Sequence, residues 1–321
     1  MQTIETMFDQ IGCTGKYLYR KYVKSQLSGK LTQKRKNATD LLRLKISKLQ
    51  ENELNGDTSC DVAWIKNKRI LRKLVLESDP NFFLEWEVIQ ETMFHTPDIS
   101  ELKFLQESAN WPEIKKAINE SPVGNPPYLH YYPCSSGNLV PHAYSIINFL
   151  NFYKTNLRDI PGDVIEFGGG YGSFCRLIFN LGFSGCYTIF DQPEFSALQE
   201  FYLKNVNNNI SINQGEPRTS DKSVDLISDL NDLNLFFSRK NKLGIFIALW
   251  SLSECPIEFR SEFLNEKCKP EYFLISYQEK FGNIDNVKYF DECILKNTDY
   301  LWDKIKIEHL PGNYYLFGKK I

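Results

Sequence analysis

With 321 residues, 42% of them hydrophobic and 14% aromatic, the chain has ample apolar material for a packed core and room for two modest domains. Its 38 Lys and Arg against 40 Asp and Glu leave a formal charge of −2, which argues against nucleic acid as the main partner. No apolar run reaches the length of a membrane span, and the opening MQTIETMFDQ lacks the apolar core of a signal peptide. The 8 cysteines are scattered without a C-x-x-C pair and read as reduced thiols, so a cytoplasmic protein is expected.

The first 125 residues read as a helical, substrate-binding cap. Lys16–Lys48 is rich in Lys and Arg, with Asp40 as its only acid. Such a block suits the solvated face of N-terminal helices, with Leu41, Leu42, Ile46 and Leu49 on the buried side. It equally suits contact with phosphate groups on a nucleotide sugar, a lipid-linked glycan or a membrane surface. Helical apolar spacing continues through Ile70, Leu71, Leu74 and Val75, and then through Phe82, Phe83, Trp86 and Ile89, with a break at Asp79-Pro80. Ser121–Gly137 is dense in Pro, Gly and Tyr and reads as a linker, so the second domain is placed at 126–321. A helix over roughly Pro141–Thr155 then leads into the first strand.

That strand opens the most informative stretch, VIEFGGGYGSFCR at 164–176. Val164, Ile165 and Phe167 run into Gly168, Gly169, Gly170 and Gly172, and helical spacing resumes at Phe174, Leu177 and Ile178. A glycine turn between a parallel strand and a helix lets backbone amides approach a ligand at a helix N-terminus. A dinucleotide fingerprint would place its third glycine where Ser173 stands. A second strand, Tyr187–Phe190, ends in Asp191, where a carboxylate would grip both hydroxyls of a ribose.

Acid-x-G-x-G-x-G, beginning at Glu166, resembles motif I of class I S-adenosyl-L-methionine (AdoMet) dependent methyltransferases, and FDQPEF at 190–195 resembles the family's second motif. The resemblance implies that Glu166 lies near the methionine amino group and that the glycine turn wraps methionine and ribose. Gln192, Trp250 and Asp229, each at a strand end, complete the expected cofactor set, with Asp229 beside the adenine.

The downstream chain fits the same order. VDLIS at 224–228, GIFIAL at 244–249 and YFLISY at 272–277 are apolar enough for strands buried on both faces. Pro311-Gly312-Asn313 between two β-rich runs, 304–310 and 314–318, marks a terminal hairpin. The expected fold is therefore α/β, a Rossmann-like class I methyltransferase domain with a seven-stranded sheet, beneath the helical cap. A dehydrogenase would more often continue with a second βαβ half.

The segment WSLSECP at 250–256 resembles the SLSE stretch at the same place in sugar O-methyltransferases of bacterial surface-polysaccharide pathways. That resemblance implies a sugar or glycan-precursor acceptor. Methyl transfer to a hydroxyl needs a proton acceptor, for which Glu254 and His142 are the candidates. Glu254 would otherwise cap the helix that Pro256 begins, and His142 would otherwise be an ordinary residue of a helix's first turn. His130, Tyr131, Ser253 and Tyr277 are candidate substrate contacts. Asp225, Asp229 and Asp232 are close in sequence without any guarantee of convergence, so no metal is expected. Asn125-Pro126-Pro127-Tyr128 spells an amino-methyltransferase tetrad but precedes the first strand, and reads as coincidence. A small-molecule O-methyltransferase for an aromatic hydroxyl and a non-catalytic binding subunit are the rival readings, and a homodimer is compatible with each.

Overall fold

The computed structural model describes residues 33–49, 59–94, 98–127, 138–206, 210–213, 222–238, 242–261, 263–264 and 268–321. The basic stretch from Lys16 to residue 32 therefore lies outside the described residues.

Its centre is an eight-stranded sheet. The strands are β1 (Asp163–Phe167), β2 (Tyr187–Phe190), β3 (Ser211–Asn213), β4 (Ser223–Ile227), β5 (Leu243–Leu249), β6 (Tyr272–Gln278), β9 (Tyr300–Lys306) and β10 (Asn313–Lys320). They lie side by side as β3-β4-β2-β1-β5-β6-β10-β9. β3 through β6 in that order are mutually parallel, whereas β10 runs antiparallel to both β6 and β9. A small hairpin, β7 (Lys280–Phe281) with β8 (Ile284–Asp285), follows β6. A reversal of strand order at β1 and an antiparallel strand inserted before the last edge make this the Rossmann-like class I methyltransferase fold.

Two details differ from the sequence expectation. The sheet has eight strands because the three residues of β3 pair with Ser223–Asp225 of β4. A segment reading Ser-Ile-Asn carries no periodic signal; the Asn213 amide donates to Asp225 Oδ1 at 2.9 Å and fastens it. β9 lies four residues earlier than the expected 304–310 and stops at Lys306, and Leu310 closes a turn onto the Ile307 carbonyl.

Helices cover both faces. α1 (Gln33–Lys48), α2 (Ser59–Glu77), α3 (Glu87–Met93), α4 (Ile99–Glu107) and α5 (Trp111–Ala117) precede α6 (Leu139–Tyr153). α7 (Ser173–Asn180), α8 (Pro193–Val206), α9 (Leu230–Ser238), α10 (Ile257–Arg260) and α11 (Asn286–Lys296) alternate with strands. α1 and α2 pack on α8, and α4 packs on α6. Phe83, from the 3₁₀ turn Pro80–Glu85, meets Tyr171, Phe201 and Tyr202 edge-on. The N-terminal helices thus share one apolar core with one face of the sheet, while Phe246, Phe263 and Phe273 belong to a second cluster on the other face.

On α1, Leu42 and Ile46 are buried as expected, but Leu41 is exposed. Part of the basic block is tied down internally. Lys45 pairs with Glu200 at 2.5 Å, and Arg43 donates to the carbonyls of Val75 and Ser78 at 3.2 and 2.8 Å.

Candidate active site

One cleft of ≈ 410 Å³ opens at the carboxyl ends of β1, β2 and β5, the position at which open α/β sheets take their ligands. From the sheet it receives Glu166, Gly168, Gly169, Gly170, Asp191 and Gln192. Trp250, Ser251 and Glu254 come from the turn after β5, and His142 and Ser173 from the starts of α6 and α7. Its volume lies in the range of small-molecule sites.

The glycine turn is built for close approach. Gly168 has φ +71°, and a Cβ there would stand 2.4 Å from Cβ of Ser251, so no side chain fits. Ser251 itself donates to the Phe167 carbonyl at 2.5 Å, which couples the turn after β5 to the end of β1. Gly170 has φ +57°, and its carbonyl accepts from the Gln199 side chain at 2.9 Å. The same Gln199 nitrogen donates to Asp191 Oδ2 at 2.8 Å, while Asp191 Oδ1 accepts from the backbone N–H of Gln192 at 2.8 Å. Gln199 therefore sets the glycine turn and the carboxylate in register. With the Gly170 N–H as a third donor, the carboxylate keeps acceptor capacity for a ligand hydroxyl.

Three carboxyl groups on one cleft wall are held against ionisation. Burial pushes Glu166 up to about 8, against the opposing effect of a hydrogen bond donated by the Tyr187 hydroxyl at 2.9 Å. Burial likewise raises Asp191 to about 7, opposed by the donors from Gln192, Gln199 and Gly170. Glu254 rises to about 7 by burial alone. A site with this inventory favours a cationic ligand, whose charge compensates the ionised acids.

Trp250 is the strained element. It takes a left-handed conformation, φ +60° and ψ −29°, rare for a bulky residue. Its N–H donates to the Ser276 carbonyl at 3.0 Å, and its indole donates to Asn313 Oδ1 at 2.7 Å. His142 is almost fully buried, with Nδ1 3.4 Å from the Ser173 hydroxyl and its ring edge-on to Phe174.

Four expected site residues lie outside the cleft lining. Gly172, φ +92°, is the N-cap of α7 and faces Leu203. Asp229 accepts from the N–H of Asn231 at the start of α9. Ser253 is fully buried and donates to the Trp250 carbonyl at 2.5 Å. Tyr277 shares the strand parity of Phe273 and Ile275, so its ring enters the core of the opposite face, between Phe290 and Tyr314. His130 and Tyr131 fall outside the described residues. Among the described residues, no group of three His, Cys, Asp or Glu side chains is placed to hold a metal.

The cap contributes wall residues that the sequence reading did not select. Trp64, Ile65 and Lys68 of α2 line the cleft together with Thr92 and Met93 of α3. Trp64 meets Phe195 edge-on at 5.8 Å. Burial lowers the Lys68 pKa, a tendency that the nearby charge of Glu194 opposes. One face of an apolar helix was legible; which of its residues would overhang a ligand was not.

No family model matches the chain, and no curated protein matches it. Solved structures show remote likenesses. Magnesium protoporphyrin IX methyltransferase (ChlM) from Synechocystis PCC 6803, solved with bound SAM, superposes with a TM-score of 0.39 at 11% identity, over 71% of this chain and 99% of that one. Ribosomal protein L11 methylase from Lactobacillus delbrueckii subsp. bulgaricus gives 0.35 at 14% identity, over 56% and 79%. The fibrillarin pre-rRNA processing protein of Methanococcus jannaschii gives 0.34 at 11% identity, over 50% and 67%.

Proposed function

We propose that the chain is an AdoMet-dependent O-methyltransferase that methylates a sugar hydroxyl of a bacterial surface-polysaccharide precursor. The observation that carries the cofactor assignment is the unit formed by the glycine turn, Asp191 and Gln199 at the carboxyl ends of β1 and β2. The residues fit the group. Gly168 lets the turn close against Ser251, where a Cβ would clash, Asp191 retains acceptor capacity for a ribose hydroxyl, and Gln192 offers a buried side-chain oxygen with no partner among the described residues. Burial favours the protonated forms of Glu166 and Asp191, and a ligand that carries an ammonium and a sulfonium charge would favour their ionisation.

When bound, the cofactor supplies a methyl group activated for in-line displacement. The chain's part is to orient the acceptor, exclude water and take a proton. Glu254, with its pKa raised to about 7, is an effective base near neutral pH, and His142 faces the same cleft. The sugar itself rests on the likeness of WSLSECP to sugar O-methyltransferases. The aromatic walls Trp64, Trp250 and Phe259 favour a second reading, an aromatic or natural-product hydroxyl.

Calorimetric titration of AdoMet into the wild type and Asp191→Ala tests the cofactor. Micromolar binding that weakens at least about tenfold in the variant is expected, the loss of a charge-assisted hydrogen-bond pair. Absence of binding to the wild type overturns the reading. Transfer of labelled methyl to nucleotide sugars, but not to aromatic hydroxyl compounds, separates the two acceptor classes.

A further inference from the structure

Arg260, the last residue of α10, is fully buried although it carries a permanent charge. Its guanidinium does not point into the cleft. Nη2 donates to the Ser253 carbonyl at 2.6 Å and Nε to the Cys255 carbonyl at 2.8 Å. These two carbonyls belong to the residues on either side of Glu254. A rigid, planar fork of donors fixes both at once in a set geometry, which an ammonium on a flexible stem does less well.

The fork is itself braced from behind. Nη1 donates to Asn286 Oδ1 at 2.7 Å, and the Asn286 amide donates to the Gln278 carbonyl at 2.9 Å. The Tyr289 ring faces the guanidinium at 4.7 Å. The Ser253 hydroxyl, donating to the Trp250 carbonyl, lies 2.8 Å from the Gln278 side-chain amide. A closed polar frame thus joins β6 and α11 to the strained turn 250–255.

We propose that Arg260 is a positioning residue for Glu254, clamping the carbonyls of its two neighbours, Ser253 and Cys255, so that the carboxyl stays in the cleft wall rather than turning to water. The proposal rests on the role assigned above to Glu254 as proton acceptor. The other titratable groups on the cleft wall are His142 of α6, Glu166 of β1, Tyr171 of the glycine turn, Asp191 after β2, Lys68 of α2 and Cys255 beside it. Of these, Cys255 meets Arg260 through its backbone carbonyl.

The test is the titration of Glu254 in the full chain labelled with ¹³C-carboxyl glutamate, its resonance assigned by loss in Glu254→Gln. In the wild type the midpoint is expected near 7. In Arg260→Met it should fall by at least about one pH unit as the carboxyl gains water. Arg260→Lys should recover part of that fall, and Asn286→Ala, which keeps the arginine and loosens its brace, should show a smaller fall. AdoMet affinity should stay within about threefold of the wild type in all three, because the glycine turn and Asp191 are untouched. An unchanged midpoint in Arg260→Met, or in Asn286→Ala where the methionine variant does not fold, overturns the proposal. Failure of the wild type to bind AdoMet sinks the methyltransferase reading instead, and leaves the titration to decide the frame.

Discussion

At the scale of single residues, Gln199 has the clearest function that no motif announces. It sits two turns into α8, fully buried, and one nitrogen serves both the Gly170 carbonyl and Asp191. Gln199→Leu keeps volume and removes both bonds. It should cost on the order of 1–3 kcal/mol of stability and weaken AdoMet binding about tenfold, because Asp191 becomes harder to ionise and the turn loses its tie. Thermal unfolding and calorimetry on the same preparation check the two effects, and unchanged affinity would remove Gln199 from the site. The contrast with Asp191 is instructive. A carboxylate at the end of the second strand is readable from spacing, whereas a glutamine eight residues later becomes relevant only once the helix turns it back beneath the loop.

At the scale of elements, the strand-to-helix turn of β1 and α7 depends on its neighbour after β5. Gly168→Ala must shift Ser251, which is itself bonded to the end of β1, so the cost is not local. The substitution should lower thermal stability and abolish detectable AdoMet binding, since a positive-φ alanine adds strain to the clash. A variant that binds normally would show that the turn repacks freely. The glycines, Glu166 and the end of β2 were legible in the sequence because a parallel strand followed by a turn has a local signature. Tyr277 and Ser253 lie outside the cleft lining for an equally physical reason. Both stand near strand ends, yet alternation along β6 sends Tyr277 to the opposite face, and Ser253 is taken up by the polar frame. Trp64, Lys68 and Met93 could not be found at all without the tertiary packing that brings α2 and α3 over the cleft. β3 was missed because three residues give no periodicity.

At the scale of the whole molecule, the three raised carboxyl groups set a pH dependence. The folded chain holds protons on Glu166, Asp191 and Glu254 to about 8, 7 and 7, while the unfolded chain releases them near 4. Between those limits the folded state binds more protons, so these groups make stability fall as pH rises from about 4 to about 8. AdoMet binding should run the other way and strengthen over pH 6–8, as the acids that face its positive charges ionise. Thermal unfolding with and without AdoMet across pH 5–9 should therefore show a ligand-induced stabilisation that grows with pH. A stabilisation independent of pH would mean that these acids do not meet the ligand's charge.

The placement of β10 has a consequence for how the protein is made. The strand that completes the sheet is an interior one, paired along its length with β6 on one side and β9 on the other. Until Asn313–Lys320 has emerged from the ribosome, β6 presents an open edge beside an already apolar core, and β9 has nothing to lie against. Unpaired edges of this kind recruit other chains. Folding of this sheet therefore passes through an interval, closed when β10 pairs, in which the β6 edge is open to other chains.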